Sequence, residues 1–237
     1  MSELTLILDA DDTLWENNIY YEEVRQAFAD RMAEEGFDRA AALDALDTTE
    51  HERVPQVGYA PREFVRSVVI AYRRLCASRG EVPDEDVAEE VRSIAHHVID
   101  HPIILLDGVA ETLQRLDGRH RLILLTKGDL YVQQEKVDRS GLGAHFEAVH
   151  VVPEKGAHVL RDLLTRHGLD PRRTWMVGNS PRSDINPALK AGIGAVYIPH
   201  PVPWDFEDVS LVDPERVVTL ERFADLPEFL DTLGGER

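Results

Sequence analysis

Short apolar runs punctuate the chain: Glu3 to Leu8, RLILLT at 121–126, FEAVHVV at 146–152, TWMVGN at 174–179 and GAVYIP at 194–199. Each is short and almost continuously apolar, which predicts strands buried on both faces, as in a parallel sheet. Helix-like segments separate the later runs, at Asp129–Arg139, Ala157–His167 and Ile185–Ala191. Strands that alternate with helices predict an α/β fold, a parallel sheet wrapped by helices.

Residues 18 to about 100 break this rhythm. Helical patterns follow one another there, at Ile19–Glu35, Arg39–Leu46, Pro61–Arg79 and Asp84–Ile99, with no strand between them. Pro61 suits a first helical turn, and Gly36 and Gly80 suit helix ends. The pattern predicts an all-helical block inserted after the first strand: residues 1–16 and 102–237 form the sheet domain and 17–101 the insertion. The closing LGGER reads as a frayed end.

Composition narrows the function classes. A formal charge of −18 argues against a binder of nucleic-acid backbones, whose affinity rests on clustered Lys and Arg. Cys76 is the single cysteine, so no intramolecular disulfide forms, and it reads as a small buried residue of an inserted helix. The start MSELTLILD has neither the basic region nor the long apolar run of a signal peptide, and no apolar stretch approaches the roughly 20 residues of a membrane span. The expectation is a cytoplasmic protein acting on a small molecule.

The chemistry gathers at strand ends, where ligands bind in folds of this class. TLILDADDTLW runs from Thr5 to Trp15 and sets Asp9, Asp11 and Asp12 directly behind the first strand. Carboxylates survive in such a place by binding a cation or by doing chemistry. One can act as a nucleophile while its neighbour moves a proton, and a hard divalent ion offsets their repulsion. Read as an acidic turn, the same stretch would cap the following helix through Asp12 or Thr13. Thr126, with Lys127 and Gly128 after it, ends the second core strand and can meet the oxygens of an anion. Lys155 opens the helix after the third strand and can bring a positive charge. GNSPRSDI at 178–185 sets Asn179 and Asp184 after the fourth strand.

The ordered set of DADDT, a strand-ending Thr126, Lys155 and GNSPRSDI resembles the haloacid dehalogenase-like (HAD) superfamily of hydrolases. The resemblance covers about 2–16 and 103–200, and DGVAETLQRL at 107–116 is similar to the segment that returns from cap to core in that family. It implies a Rossmann-like core with a helical cap of the C1 type. It also implies phosphatase chemistry, with Asp9 as the nucleophile that forms an aspartyl-phosphate and Asp11 as general acid and then base. Thr126, Lys127 and Lys155 would border the phosphoryl group, and Mg²⁺ would be held by Asp9, the Asp11 carbonyl, Asp184 and Asn179. Asn179 departs from the Asp that many members carry there. The implied substrate is a small phosphorylated metabolite.

Three other readings share these motifs. A 2-haloacid dehalogenase uses the same nucleophile but lacks the second aspartate, so Asp11 speaks against it. A sugar-phosphate mutase differs in how its cap delivers a second substrate, and a non-catalytic binding protein of this fold has Asn179 as its support. His97 and His101, one helical turn apart beside His96, read as a solvated or cap-facing set. Trp15 reads equally as packing or as a border of the substrate, and Arg172 and Arg173 as solvated surface.

Overall fold

The computed structural model describes residues 3–204, 207 and 209–234. The chain divides into two compact units, Met1–Asn18 with Ile103–Arg237, and Ile19–Pro102.

The first unit is built on a six-stranded sheet of β1 (Thr5–Leu8), β2 (Arg121–Lys127), β3 (Ala148–Val152), β4 (Thr174–Gly178), β5 (Gly194–Tyr197) and β6 (Val217–Thr219). All neighbours pair in parallel, in the order β3-β2-β1-β4-β5-β6. The chain builds outward from β1 on one side and then returns to build outward on the other. β1 and β4 therefore flank the point where the strand order reverses, which opens a crevice at their carboxyl ends.

Side-chain alternation sorts each strand between two cores. Leu6 and Leu8 of β1 and Leu122 and Leu124 of β2 pack against Val109, Leu113 and Leu116 of α6 (Val109–Leu116), Val137 of α7 (Leu130–Ser140) and Leu226 and Leu230 of α10 (Leu226–Gly234). Ile7, Ile123 and Leu125 face the other way, onto Leu160, Leu163 and Leu164 of α8 (Ala157–His167) and Ala188 and Leu189 of α9 (Asn186–Ala191). A single π-helical turn at Pro181–Ile185 precedes α9, where the sequence pattern had the helix begin directly. β6 and α10 lie beyond the last apolar run and have no counterpart in the sequence reading. Of LGGER, Leu233 and Gly234 lie in α10, and the remainder lies outside the described residues.

The second unit is all helical: α1 (Asn18–Glu34), α2 (Arg39–Val57), α3 (Pro61–Ser78), α4 (Glu85–Ala95) and the short α5 (His97–Asp100). Asp38 caps α2 by accepting from the Ala41 amide at 3.0 Å, and Pro61 opens α3. Gly36 and Gly80 take φ of 77° and 70° just past α1 and α3, the left-handed geometry that ends a helix. α2 runs further than its apolar pattern indicates, and the segment expected as one helix over Asp84–Ile99 is broken at His96. The unit has its own core, in which Phe28, Met32, Leu46, Phe64, Val68 and Tyr72 are buried. Cys76 is buried in it as well. His101 stacks on Tyr20 at 3.9 Å, and His97 lies 3.1 Å from Glu23. Among the described residues no helix is long and apolar enough to cross a membrane.

Candidate active site

Strand β1 delivers Asp9 to the crevice: the Asp9 amide donates to Val177 O at 2.9 Å, carrying the β1–β4 pairing one residue past Leu8. The chain then turns sharply. Thr13 and Leu14 amides return to Ala10 O at 3.2 and 2.8 Å, and Asp12 takes φ of 58°. That left-handed conformation is tolerated by Asp because its short side chain bonds locally. Here Asp12 Oδ1 accepts from the Asn17 and Asn18 amides at 2.9 and 3.0 Å. The turn thus has the cap-like function of the alternative reading in Asp12, and leaves Asp9 and Asp11 for other partners.

Asp9 is 5% exposed and held on both oxygens. Thr13 Oγ1 donates to Oδ2 at 2.9 Å, and Lys155 Nζ donates to Oδ1. The same Lys155 ammonium donates to Asp184 Oδ1 at 2.8 Å, while the Ser180 amide donates to Asp184 Oδ2 at 3.0 Å. Asp184 is fully buried. Burial alone would lower the Lys155 ammonium, but Asp184 and Asp9 outweigh it and hold its proton more tightly than in an ordinary lysine. Burial pushes the Asp184 carboxyl up to about 7; Asp9 adds to that shift and Lys155 opposes it. Two carboxylates around one ammonium leave the buried trio short of positive charge. All of its remaining donors are oxygens, a set that suits a hard divalent cation. Asn179 belongs to the same surroundings, its Oδ1 3.4 Å from Thr13 Oγ1.

Asp11 is turned to a different set. Its Oδ1 accepts from Trp15 Nε1 at 2.7 Å and from Lys136 Nζ at 2.9 Å, and its Oδ2 from Gln133 Nε2 at 2.9 Å. Burial favours the protonated acid, yet the Lys136 charge and these bonds together hold the carboxyl below the usual range. Trp15 is itself fully buried in the sheet-domain core, so it packs and donates at once.

Thr126, 1% exposed, lies at the end of β2, paired in register with Val151. Lys127 shares that strand end, but its ammonium pairs with Glu207 and lies 3.2 Å from Ser183 Oγ, so its charge is already balanced. Glu207 also accepts from the Ser180 and Ser183 hydroxyls. Lys155 sits in the loop before α8, two residues ahead of the helix that the sequence pattern had it open. Asp12, Glu16 and His200 form a separate group, each with a ligand atom within 4.8 Å of the others, and burial pushes the Asp12 carboxyl up to about 6. Gln133, Lys136 and Glu207 were not singled out from the sequence. Gln133 and Lys136 had no distinguishing signal there, because Gln134 and Glu135 between them are equally polar.

The model of the family described as haloacid dehalogenase-like hydrolase matches residues 4–192. The chain belongs to this family. Among solved structures, a HAD-like family hydrolase from Xanthomonas campestris superposes with a TM-score of 0.81 over 98% of this chain and 91% of that one, at 24% identity. Among curated proteins, mouse N-acylneuraminate-9-phosphatase is 28% identical over 123 residues, half of each chain. Phosphoserine phosphatase of Thermus thermophilus is 35% identical over 82 residues, 32% of this chain and 33% of that enzyme. The HAD-like chain thus matches half or less of the length of these phosphatases.

Proposed function

We propose that this HAD-like hydrolase is a Mg²⁺-dependent phosphatase of a small phosphorylated metabolite, with the helical unit as a C1-type cap. The observation that carries the reading is the buried trio of Asp9, Lys155 and Asp184 beside a second, separately held carboxylate, Asp11. A dehalogenase of this family lacks the second aspartate, so Asp11 speaks against that reading. The names of the two phosphatase relatives agree with the choice.

In this reading an Asp9 oxygen attacks phosphorus, the bond from phosphorus to the ester oxygen breaks, and Asp11, which its partners hold ionised and which therefore first takes a proton from solvent, gives that proton to the departing oxygen. Water then attacks the aspartyl-phosphate, passing its proton to Asp11, and phosphate leaves with Asp9 restored. Thr126 and Lys155 hold the phosphoryl oxygens, and Lys127 borders them at the strand end. Asp9, the Asp11 carbonyl, Asp184 and Asn179 would hold Mg²⁺, which supplies positive charge against the phosphoryl oxygens. Fixed charges of this kind are what phosphoryl transfer chiefly requires.

Hydrolysis of para-nitrophenyl phosphate with Mg²⁺, and with EDTA as control, tests the proposal. The expected result is metal-dependent release that falls on the order of 10³-fold or more in Asp9→Asn, which keeps the shape and removes the nucleophile. Unchanged turnover in that variant would sink the assignment. Turnover of 2-haloacids without metal, and none of the phosphate ester, would favour the dehalogenase reading instead.

A further inference from the structure

Strand β1, which delivers Asp9, is flanked in the sheet by β2 and β4. Lys127 ends β2, and Ser180 and Ser183 follow β4, so these polar side chains belong to the two strand ends on either side of Asp9. One carboxylate joins them. Glu207, on the connection from β5 to β6, accepts from Lys127 Nζ with one oxygen and from the Ser180 and Ser183 hydroxyls with the other. A negative charge is thereby held between the strands that flank the one presenting the nucleophile.

Fastening the connection does not require that charge. It is tied on both sides of Glu207: Asn18 Nδ2 donates to Val202 O at 3.0 Å, Asn186 Nδ2 to Ser210 O at 3.0 Å, and the Val212 amide to Asn186 Oδ1 at 2.8 Å. A neutral side chain at 207 could meet two serines equally well, whereas a buried carboxylate is unfavourable unless a cation matches it. Here the match is one to one, between side chains that are 12% (Lys127) and 14% (Glu207) exposed. Burial favours the protonated acid, yet the Lys127 charge and the bonds from Lys127, Ser180 and Ser183 hold the Glu207 carboxyl below the usual range, so it stands as an anion. Lys155, the ammonium at Asp9, is likewise shared between Asp9 and Asp184.

We propose that Glu207 is an internal anion that sets the phosphate affinity of the site: it neutralises Lys127, so that a phosphoryl group meets a balanced pair there instead of an ammonium. The proposal rests on the phosphatase reading above. Its consequence is weak retention of the inorganic phosphate left after each turnover, which keeps the product from occupying the site. Ser183 Oγ, 3.2 Å from Lys127 Nζ, and the Trp204 ring, centred 5.8 Å from it, hold the ammonium in place when the carboxylate is replaced by an amide.

Calorimetric titration of the Mg²⁺-loaded protein with inorganic phosphate tests this, and competitive inhibition of para-nitrophenyl phosphate hydrolysis by phosphate gives a second readout. Glu207→Gln keeps the shape and the hydrogen-bonding capacity of the side chain and removes its charge; it is expected to bind phosphate about tenfold more tightly. Lys127→Met leaves the carboxylate uncompensated and is expected to bind phosphate about tenfold more weakly. The double variant, with neither charge, is expected to return to the affinity of wild type. Unchanged or weaker binding in Glu207→Gln overturns the proposal, because a carboxylate that merely fastens the connection gives no gain when an amide replaces it. A double variant as tight as Glu207→Gln overturns it too, since the gain would then not come from Lys127. If Glu207→Gln does not fold, Lys127→Met decides alone, and unchanged affinity there sinks the idea. Failure of the phosphatase reading looks different: wild type would neither hydrolyse the ester nor bind phosphate, or Asp9→Asn would be fully active.

Discussion

Gly178 ends β4 directly behind Asp184. A Cβ there would lie 2.3 Å from Asp184 Oδ2 and 2.5 Å from its Cγ, so the carboxylate occupies the space that any side chain would need. Asp184 is fully buried and tied to Lys155 and the Ser180 amide, which leaves it no low-cost direction to move. Gly178→Ala is therefore expected to cost about 1–3 kcal/mol in urea unfolding, the usual range for overpacking, and to weaken Mg²⁺ binding in calorimetric titration. Wild-type values in both would show that Asp184 is not held against the strand. Asn179→Asp adds a charge beside Thr13 and is expected to tighten Mg²⁺ binding, whereas no change or a loss in the same titration would remove Asn179 from the surroundings of the ion. Asp9, Asp11 and Asp184 could be read from the sequence because a carboxylate after a buried strand is costly and therefore conspicuous. Gln133 and Lys136 could not, since Gln134 and Glu135 beside them are equally polar and exposed, and only the direction in which α7 faces tells them apart.

Helix α2 shows the same limit in an element. After Leu46 its inner face is continued by Thr49 and Glu50, both buried, so the apolar period fades while the helix persists to Val57 with Pro55 in its last turn. β6, three residues long and at the edge of the sheet, is too short to leave a periodic signal. The central strands were legible because they are covered on both faces, which demands continuous apolar runs. Glu50 makes the inner face of α2 pH-sensitive. Burial pushes its carboxyl from 4.5 up to about 7, with Arg25 opposing the shift and Asp47 adding to it. Between those two values the folded chain keeps a proton that the unfolded chain releases, so this contribution to stability falls as pH rises and is fully lost above about 7. Glu50→Gln never pays for that ionisation. Its unfolding free energy relative to wild type is expected to rise between pH 5 and pH 8 by up to ~3 kcal/mol, read from urea unfolding at both values. A difference independent of pH would mean that Glu50 is ionised in the folded protein throughout.

In the whole molecule, the buried apolar residues fall into clusters that respect the division into units: the helical cluster takes all of its members from between Val24 and Val98, and the two sheet clusters draw on residues outside Ile19–Pro102. A unit with its own core is expected to fold on its own. The sheet unit is the demanding case, because it is discontinuous and its central strand β1 comes from the far side of the insertion. Its two segments are nevertheless stitched together where the chain leaves and returns. The Glu16 amide donates to Ile104 O at 2.9 Å, the Leu106 amide to Leu14 O at 3.0 Å, and Trp15 bridges Leu105 in antiparallel fashion. Residues on either side of the excision are thus already neighbours, and a few Gly and Ser residues can span them at little cost in loop-closure entropy. Replacing Ile19–Pro102 by such a linker is expected to give a soluble protein with cooperative urea unfolding, while 103–237 alone, deprived of the strand between β2 and β4, is expected to aggregate. If the linked sheet unit also failed to unfold cooperatively, its core would depend on the helical insertion. If 103–237 folded alone, β1 would not be the strand that organises the sheet.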